Sequence, residues 1–233
     1  AAIDAVLGMG CWTPRVDLAI EDAGASWHAQ LINEDGTAFR VHSPQHEPTV
    51  VEWNHCGRHN VENGLAAMAA AHHVGVAPAV AAEALAAFRG VKRRLELLGT
   101  VADIRVYDDF AHHPTAIAST LEGIRAGNKG GRILTLIEPR SNTMRMGEHR
   151  KHLALATKAA DRVFWFQPAG MDWSLERVIS ESPVTASLSD NVDTLAQEVA
   201  ALARSGDTIV IMSNGSFGGI HQKLLTQLEV INA

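Results

Sequence analysis

Hydrophobic and polar positions alternate in two different ways along the chain. Up to about residue 53 the pattern predicts short strands at Trp27–Ile32, Thr37–His42 and Thr49–Trp53. Asn33–Gly36 separates the first two strands and has the composition of a hairpin turn. Apolar side chains then recur at helical spacing, with Val61, Leu65, Met68 and Ala69 on one face. A second, alanine-rich helix is expected to end near Phe88.

From Val91 onwards, strands and helices alternate. The predicted strands are Leu95–Gly99, Ile104–Phe110, Arg132–Ile137, Arg162–Phe166, Val184–Ser187 and Thr208–Met212. The predicted helices are Pro114–Arg125, His149–Ala160, Asp172–Ser182 and two amphipathic stretches at about 192–202 and 220–231. Such alternation predicts the α/β class, with a mainly parallel sheet covered by helices on both sides. Gly90 is the best hinge candidate, so we expect one domain over 1–90 and another over 91–233.

Composition and net charge limit which partners and which cellular compartment are expected. Hydrophobic residues make up 46% and charged residues 20%, which is ordinary for a soluble globular protein. The net charge of −6 provides no basic footprint for nucleic acid. Cys11 and Cys56 form no CxxC motif, and neither a leader peptide nor an apolar run of membrane length is present. We therefore expect a cytoplasmic protein without a nucleic-acid or membrane partner.

A polar cluster lies between the end of the predicted strand Ile104–Phe110 and the start of the next helix. It consists of Asp108, Asp109, His112 and His113, and Pro114 then opens a helix. Open α/β sheets bind ligands at such strand-to-helix junctions, and unpaired helix amides there favour anions. Two other interpretations stay open: caps with solvated loop histidines, or a metal site, since carboxylate and imidazole suit several divalent ions.

Two further loops also follow predicted strands. One is Glu138-Pro-Arg-Ser-Asn-Thr-Met-Arg-Met-Gly147, and the other, Ser213–Gly219, is rich in glycine and offers backbone amides to an anion. Elsewhere, Arg93 and Arg94 lie in a basic run that is either solvated or suited to phosphate. Asn60 and Asn63 share a helix face and either cap the helix or contact a base edge.

Three of these segments carry a resemblance to a known family. Asp108-Asp-Phe-Ala-His-His-Pro-Thr-Ala-Ile117, the Glu138–Gly147 loop and Met212-Ser-Asn-Gly-Ser-Phe-Gly-Gly-Ile-His-Gln-Lys-Leu224 resemble the Mur ligases, and within them the branch of cell-wall recycling. The resemblance implies the tail of a central ATP-binding domain in 1–90 and a Rossmann-like C-terminal domain in 91–233. A Walker A loop needs a Gly-Lys pair. The chain has none, so the phosphate loop and the Mg²⁺ ligands are expected outside it.

The resemblance also implies residue roles. Asn60 and Asn63 would contact the adenine of ATP, and Asp109 the ribose. Arg94, with Arg93 as second choice, would contact the phosphates, and His112 and His113 would orient phosphate or substrate. The residues assigned to the peptide substrate are Arg140, Asn142, Thr143, Arg145 and Asn214.

The implied reaction is ATP-dependent amide formation. ATP would phosphorylate the carboxylate of UDP-N-acetylmuramate, and the amine of L-Ala-γ-D-Glu-meso-diaminopimelate would displace the phosphate. Two alternatives remain open from the residues alone. One is a nucleotide- or peptide-binding module without turnover, and the other is a metal-dependent hydrolase built on the aspartates and histidines of residues 108–113.

Overall fold

The computed structural model describes residues 2–128, 130–140, 144, 146–147, 149–171 and 173–232. The chain divides into two compact units. The first comprises Ala1–Asn33, Ala38–Trp53 and His59–Ala87, and the second comprises Glu34–Thr37, Asn54–Arg58 and Phe88–Ala233. The assignment of 1–90 and 91–233 to a central and a C-terminal domain remains a prediction.

The first unit combines a small sheet with helices. Its elements are α1 (Ala2–Gly8), β1 (Leu18–Ile20), β2 (Trp27–Leu31), β3 (Ala38–His42), β4 (Thr49–Glu52), α2 (Arg58–His73) and α3 (Pro78–Ala86). The strands are ordered β1-β2-β3-β4, with β1 parallel to β2 and the other pairs antiparallel. The predicted hairpin and third strand are confirmed. The sequence did not predict β1, because three residues are too few to show a period of two.

The second unit is built on a six-stranded sheet. Its strands are β5 (Glu96–Val101), β6 (Ile104–Asp109), β7 (Ile133–Ile137), β8 (Arg162–Phe166), β9 (Thr185–Ser189) and β10 (Thr208–Met212). They are ordered β5-β6-β10-β7-β8-β9, and only the β5–β6 pair is antiparallel. The prediction of a mainly parallel sheet is confirmed. The first strand begins at Glu96 because the preceding Leu95 has a φ of 51°, which is incompatible with an extended strand.

Helices cover this sheet on both faces. They are α4 (Pro114–Gly127), α5 (Arg150–Ala156), α6 (Glu176–Ser180), α7 (Val192–Leu202) and α8 (Ile220–Ile231), with a short 3₁₀ turn at Phe217–Gly219. The predictions for α4, α7 and α8 are confirmed within two residues. Helix α5 is shorter than the predicted His149–Ala160, because the Thr157 hydroxyl donates to the Ala154 carbonyl where the helix ends. The predicted Asp172–Ser182 helix was also too long, and Asp172 lies outside the described residues.

Alternate residues of the central strands supply two separate cores. Ile133 and Ile137 of β7 pack with Leu121 of α4 on one face of the sheet. Leu134 and Leu136 of the same strand pack on the other face, in a cluster that includes side chains of α7 and α8. Burial on both faces explains why the run of this strand is apolar except at Thr135. Throughout the described part of the chain, every helix is too short or too polar to cross a bilayer.

Candidate active site

Three polar segments of the second unit meet at one edge of the sheet. In the parallel register, Asp109 of β6 pairs with Met212 of β10, which also pairs with Ile137 of β7. The residues that follow these strands therefore emerge side by side. Ser213 N donates to the Asp109 carbonyl at 3.1 Å, and Glu138 N donates to the Met212 carbonyl at 3.0 Å. This carboxyl edge is where doubly wound sheets place their ligands.

The Asp109 carboxylate accepts hydrogen bonds from the backbone. It is 5% exposed, and its Oδ2 accepts from Leu95 N while its Oδ1 accepts from Ala111 N, both at 2.8 Å. The Thr120 hydroxyl lies at 3.5 Å from Oδ1. Asp109 thus fixes the turn after β6, and its predicted contact with ribose stays a prediction.

Asp108 points to the other side of the strand and contacts the side chains of an arginine and a histidine. Its Oδ2 accepts from Arg93 Nε at 3.1 Å, and its Oδ1 lies 3.1 Å from His221 Nε2. Burial acts to raise the pKa of Asp108. The hydrogen bond and charge of His221, together with Arg93, outweigh burial, so the pKa lies below its usual value. The carboxylate therefore remains ionised and binds both partners.

The Arg93 side chain forms hydrogen bonds to other parts of the protein. Beyond the bond to Asp108, its Nη2 donates to the carbonyls of Ser213 at 2.6 Å and Gly215 at 2.8 Å. The guanidinium therefore joins the end of β6 to the glycine-rich loop. The predicted contact of Arg93 with the nucleotide is untested, but these bonds occupy the donors on one edge of the fork.

The neighbouring Arg94 side chain is exposed. Its guanidinium carbon lies 5.6 Å from the centroid of the Phe110 ring, within cation–π range. Within the described part of the chain it has no hydrogen-bond partner. A planar fork in this state has all five donors available for an anion.

The loops after β7 and β10 are joined by a second buried contact. Ser213 Oγ donates to Glu138 Oε2 at 2.5 Å and accepts from Gly215 N at 2.9 Å. The Arg140 side chain lies over Gly215, where a Cβ atom would come within 2.3 Å of Arg140 Cδ. A side chain at position 215 would therefore require the half-exposed Arg140 side chain to move. Arg140 itself is about half exposed, with Nη1 at 3.9 Å from Glu138 Oε1.

Asn214 lies between these anchored residues. Its Oδ1 atom is buried, and among the residues that the structure describes it has no hydrogen-bond partner. A buried amide oxygen without a donor is unfavourable by about 1–3 kcal/mol. A ligand that donates a hydrogen bond at this point would remove that cost, which agrees with the predicted role of Asn214 in binding substrate.

The histidines of the loop after β6 make local contacts. His112 Nδ1 donates to the Phe110 carbonyl at 2.8 Å. His113 is the N-cap of α4, since its Nδ1 accepts from Thr115 N at 3.3 Å. The neutral His113 ring therefore carries its proton on Nε2. The ring also packs against that of His149, with centroids 4.3 Å apart.

The His113–His149 contact leads to a prediction about titration. Burial, His149 and His112 hold the pKa of His113 below its usual value of 6.5, in that order of size. We expect His149→Ala to raise the pKa of His113, because one positive neighbour of the protonated form is removed. The measurement is an NMR pH titration of the imidazole signals. His152→Ala is the control, since this exposed side chain is not among the groups that lower the pKa of His113. A His113 pKa that falls or stays constant in His149→Ala would contradict the interpretation.

The remaining predicted residues lie elsewhere or outside the described chain. Asn60 and Asn63 belong to α2 of the first unit, where Asn63 is exposed and Asn60 is partly buried. Asn142, Thr143 and Arg145 lie outside the described residues. Their roles remain predictions.

The structure gives no support to a metal centre at this edge. Asp108 and Asp109 bind different partners, and in the described ranges no three histidine, cysteine, aspartate or glutamate side chains converge well enough to hold an ion. The expectation that the Mg²⁺ ligands lie outside this chain stays a prediction.

Three contributors to the edge escaped the sequence analysis: Glu138, His149 and His221. Glu138 directly follows a buried strand, which was a usable signal for a residue at the ligand edge. His149 and His221 are separated in sequence from the residues they contact, so no local pattern marks them.

Comparison with known proteins identifies the family of the chain. Residues 93–215 match the model of the Mur ligase, glutamate ligase domain. The chain belongs to the Mur ligase family. Those residues run from Arg93 to Gly215, so the Mur ligase match covers the loops after β6 and β7 and the start of the Ser213–Gly219 loop, but not the segment of His221.

Two curated Mur ligases are similar over nearly the whole chain. Both carry the name UDP-N-acetylmuramate–L-alanyl-gamma-D-glutamyl-meso-2,6-diaminoheptandioate ligase. The one from Haemophilus influenzae is 44% identical over 225 residues, covering 96% of this chain and 49% of that protein. The one from Escherichia coli is 47% identical over 224 residues, covering 95% and 48%. The chain thus spans about half the length of these relatives.

A solved Mur ligase structure has the same fold. The murein peptide ligase from Psychrobacter arcticus superimposes with a TM-score of 0.73 at 43% identity. The match covers 100% of this chain and 50% of that one. The predicted fold of a Mur ligase C-terminal half is confirmed.

Proposed function

We propose that the complete protein containing this chain joins L-Ala-γ-D-Glu-meso-diaminopimelate to UDP-N-acetylmuramate at the expense of ATP. The observation that carries the proposal is the 44% and 47% identity to two curated ligases named for these substrates. The polar edge of the second unit supports it, because cationic, amide and imidazole groups meet there at the position where α/β sheets bind ligands.

In the proposed reaction, an oxygen of the UDP-N-acetylmuramate carboxylate attacks the γ-phosphorus of ATP and ADP leaves. The free amine of the tripeptide then attacks the acyl carbon, and phosphate leaves with the oxygen that came from the carboxylate. Such catalysis depends on positioning and on neutralising charge rather than on a protein nucleophile. Mg²⁺ would screen the phosphates when bound, and its ligands are not proposed in this chain.

Residues of this chain would have three tasks. Asn60 and Asn63 would contact the adenine, and Asp109 would accept from the ribose hydroxyls, as an ionised carboxylate can accept from two adjacent hydroxyls. Arg94 would neutralise the phosphate, since its guanidinium has no hydrogen-bond partner in the described part of the chain.

The other two sets of groups would act on the substrates. Arg140 and Asn214 would bind the substrate, as would the undescribed residues Asn142, Thr143 and Arg145. His112 and His113 would orient phosphate or substrate through their Nε2 atoms, because each Nδ1 is occupied.

The test is phosphate release by the complete protein with ATP, Mg²⁺ and UDP-N-acetylmuramate. Separate reactions receive L-Ala-γ-D-Glu-meso-diaminopimelate, L-alanine or no amine. We expect release with the tripeptide alone. Phosphate release with L-alanine but not with the tripeptide would instead assign the protein to the addition of L-alanine. Release with neither amine would contradict the proposed function and favour a binding module.

A further inference from the structure

Arg94 lies in an unusual backbone segment. Arg93 before it has a φ of 60° and Leu95 after it has a φ of 51°. Both are left-handed conformations that cost non-glycine residues of this size energy. Residues 93–95, here called the Arg94 kink, therefore persist only if the surrounding structure imposes them.

Backbone groups of the kink are held from two sides. Arg93 N donates to Glu96 Oε2 at 2.8 Å, and Leu95 N donates to Asp109 Oδ2 at 2.8 Å. The Arg93 carbonyl accepts from Phe110 N at 2.7 Å. The kink is thus attached to the end of β6 by both its flanking residues.

The Arg93 side chain adds a third attachment. Its guanidinium binds Asp108 and the carbonyls of Ser213 and Gly215, and Asp108 is in turn held by His221. Asp108 belongs to the sheet edge, Ser213 and Gly215 belong to the loop after β10, and His221 belongs to helix α8. The Arg94 guanidinium has no comparable bond, so its direction depends on the backbone beneath it and on the Phe110 ring.

We propose that Asp108 and Arg93 are positioning residues, which hold the Arg94 kink so that Arg94 faces the phosphates of the nucleotide. The inference rests on the proposed function for the identity of the anion. The Asp108–Arg93 pair and its effect on the kink do not depend on that function. In this arrangement Arg93 contacts protein and Arg94 contacts substrate.

A double-mutant cycle in the complete protein tests the link to Arg94. We expect Asp108→Asn to lower kcat/KM for ATP roughly 10-fold, while the KM values for UDP-N-acetylmuramate and the tripeptide stay constant. In an Arg94→Ala background, the same Asp108→Asn change should alter kcat/KM for ATP less than about twofold, because the residue it positions is gone. Equal effects of Asp108→Asn in both backgrounds would overturn the proposal.

A matched control is available at the opposite edge of the sheet. Arg132 and Asp207 form a pair of similar burial, with side chains 33% and 4% exposed against 30% and 8% for Arg93 and Asp108. Both precede strands, so they lie at the amino edge. Asp207→Asn should leave kcat/KM for ATP per folded molecule unchanged. A loss as large as that of Asp108→Asn would show a general effect of breaking such pairs and would overturn the proposal.

A second readout does not depend on catalysis. The Phe110 amide, which donates to the Arg93 carbonyl, should exchange with solvent about 10-fold faster in Asp108→Asn or Arg93→Lys than in the unchanged chain. Arg93→Lys keeps a charge but cannot span Asp108 and two carbonyls. Unchanged exchange in both variants would overturn the proposal. Faster exchange in a protein that shows no ligase activity would instead count against the proposed function alone.

Discussion

Replacing Trp165 with alanine should lower the free energy of unfolding by about 3–5 kcal/mol, the range for a large aromatic side chain lost from a core. Trp165 is fully buried in β8 and belongs to the cluster that contains Leu121 and Ile137. The cavity that alanine leaves lies beneath a close-packed sheet and cannot collapse fully. Urea unfolding followed by circular dichroism measures the loss.

Two further variants separate packing from hydrogen bonding at this position. The Trp165 indole N–H has no hydrogen-bond partner within the described residues. Trp165→Phe should therefore cost much less than Trp165→Ala, because it keeps most of the ring and removes an unpaired donor. Trp12→Ala is the tryptophan control, since Trp12 is 94% exposed and its loss should change stability by less than about 0.5 kcal/mol. A Trp165→Phe variant as unstable as Trp165→Ala would contradict this account.

Replacing Arg94 with alanine in the complete protein should lower kcat/KM for ATP by roughly 10- to 150-fold, which corresponds to the loss of about 1.5–3 kcal/mol from hydrogen bonds to a charged group. Steady-state rates at saturating UDP-N-acetylmuramate and tripeptide measure the change. The kcat/KM for ATP of Arg94→Lys should lie between those of Arg94→Ala and the unchanged protein, because lysine keeps the charge but not the planar fork.

Lys92 provides the control for Arg94, because its side chain is exposed and lies two residues away in the same basic run. Lys92→Ala should leave kcat/KM for ATP within about twofold of the unchanged protein, as expected for a solvated surface charge. An Arg94→Ala variant with the same kcat/KM for ATP as Lys92→Ala would remove Arg94 from the phosphate site.

The sequence predicted the elements of the second unit better than their arrangement. Alternation of strands and helices, with nearly unbroken apolar runs at Ile133–Ile137 and Thr208–Met212, was enough to predict a mainly parallel sheet. The place of the last strand, β10, between β6 and β7 was not predictable, because strand order depends on contacts between distant segments. That order is what brings Ser213 next to Asp109 and Glu138.

The candidate site, too, could be predicted from the sequence only in part. Polar residues after strand ends marked Asp108, Asp109 and Arg140 without any coordinates. Successive residues of a strand point to opposite faces, so Asp108 and Asp109 have separate partners, but the partners themselves come from distant segments. The bonds of Arg93 to Ser213 and Gly215, for instance, span more than half of the second unit in sequence. The sequence offered Arg93 as a second choice for contacting the phosphates, and that role stays a prediction; the structure adds internal bonds that the sequence did not indicate.

The role of His113 as the N-cap of α4 also became visible only in the structure. His113 was predicted to orient phosphate or substrate, and the structure adds that it caps α4 through Nδ1. A capping nitrogen fixes the tautomer, so only Nε2 is available to a ligand. Proline at the next position made the helix start predictable, but a histidine cap is outside the usual set of serine, threonine, aspartate and asparagine.

The fate of a carboxylate oxygen tests the proposed ligase chemistry most directly. UDP-N-acetylmuramate labelled with oxygen-18 in its carboxylate is incubated with the complete protein, ATP, Mg²⁺ and L-Ala-γ-D-Glu-meso-diaminopimelate. Mass spectrometry then follows the amide product and the released phosphate. The expected result is one labelled oxygen in the phosphate for each molecule of amide formed, because the carboxylate oxygen leaves with phosphorus. Unlabelled phosphate, or phosphate without amide, would contradict an ATP-dependent ligase that acts through an acyl phosphate.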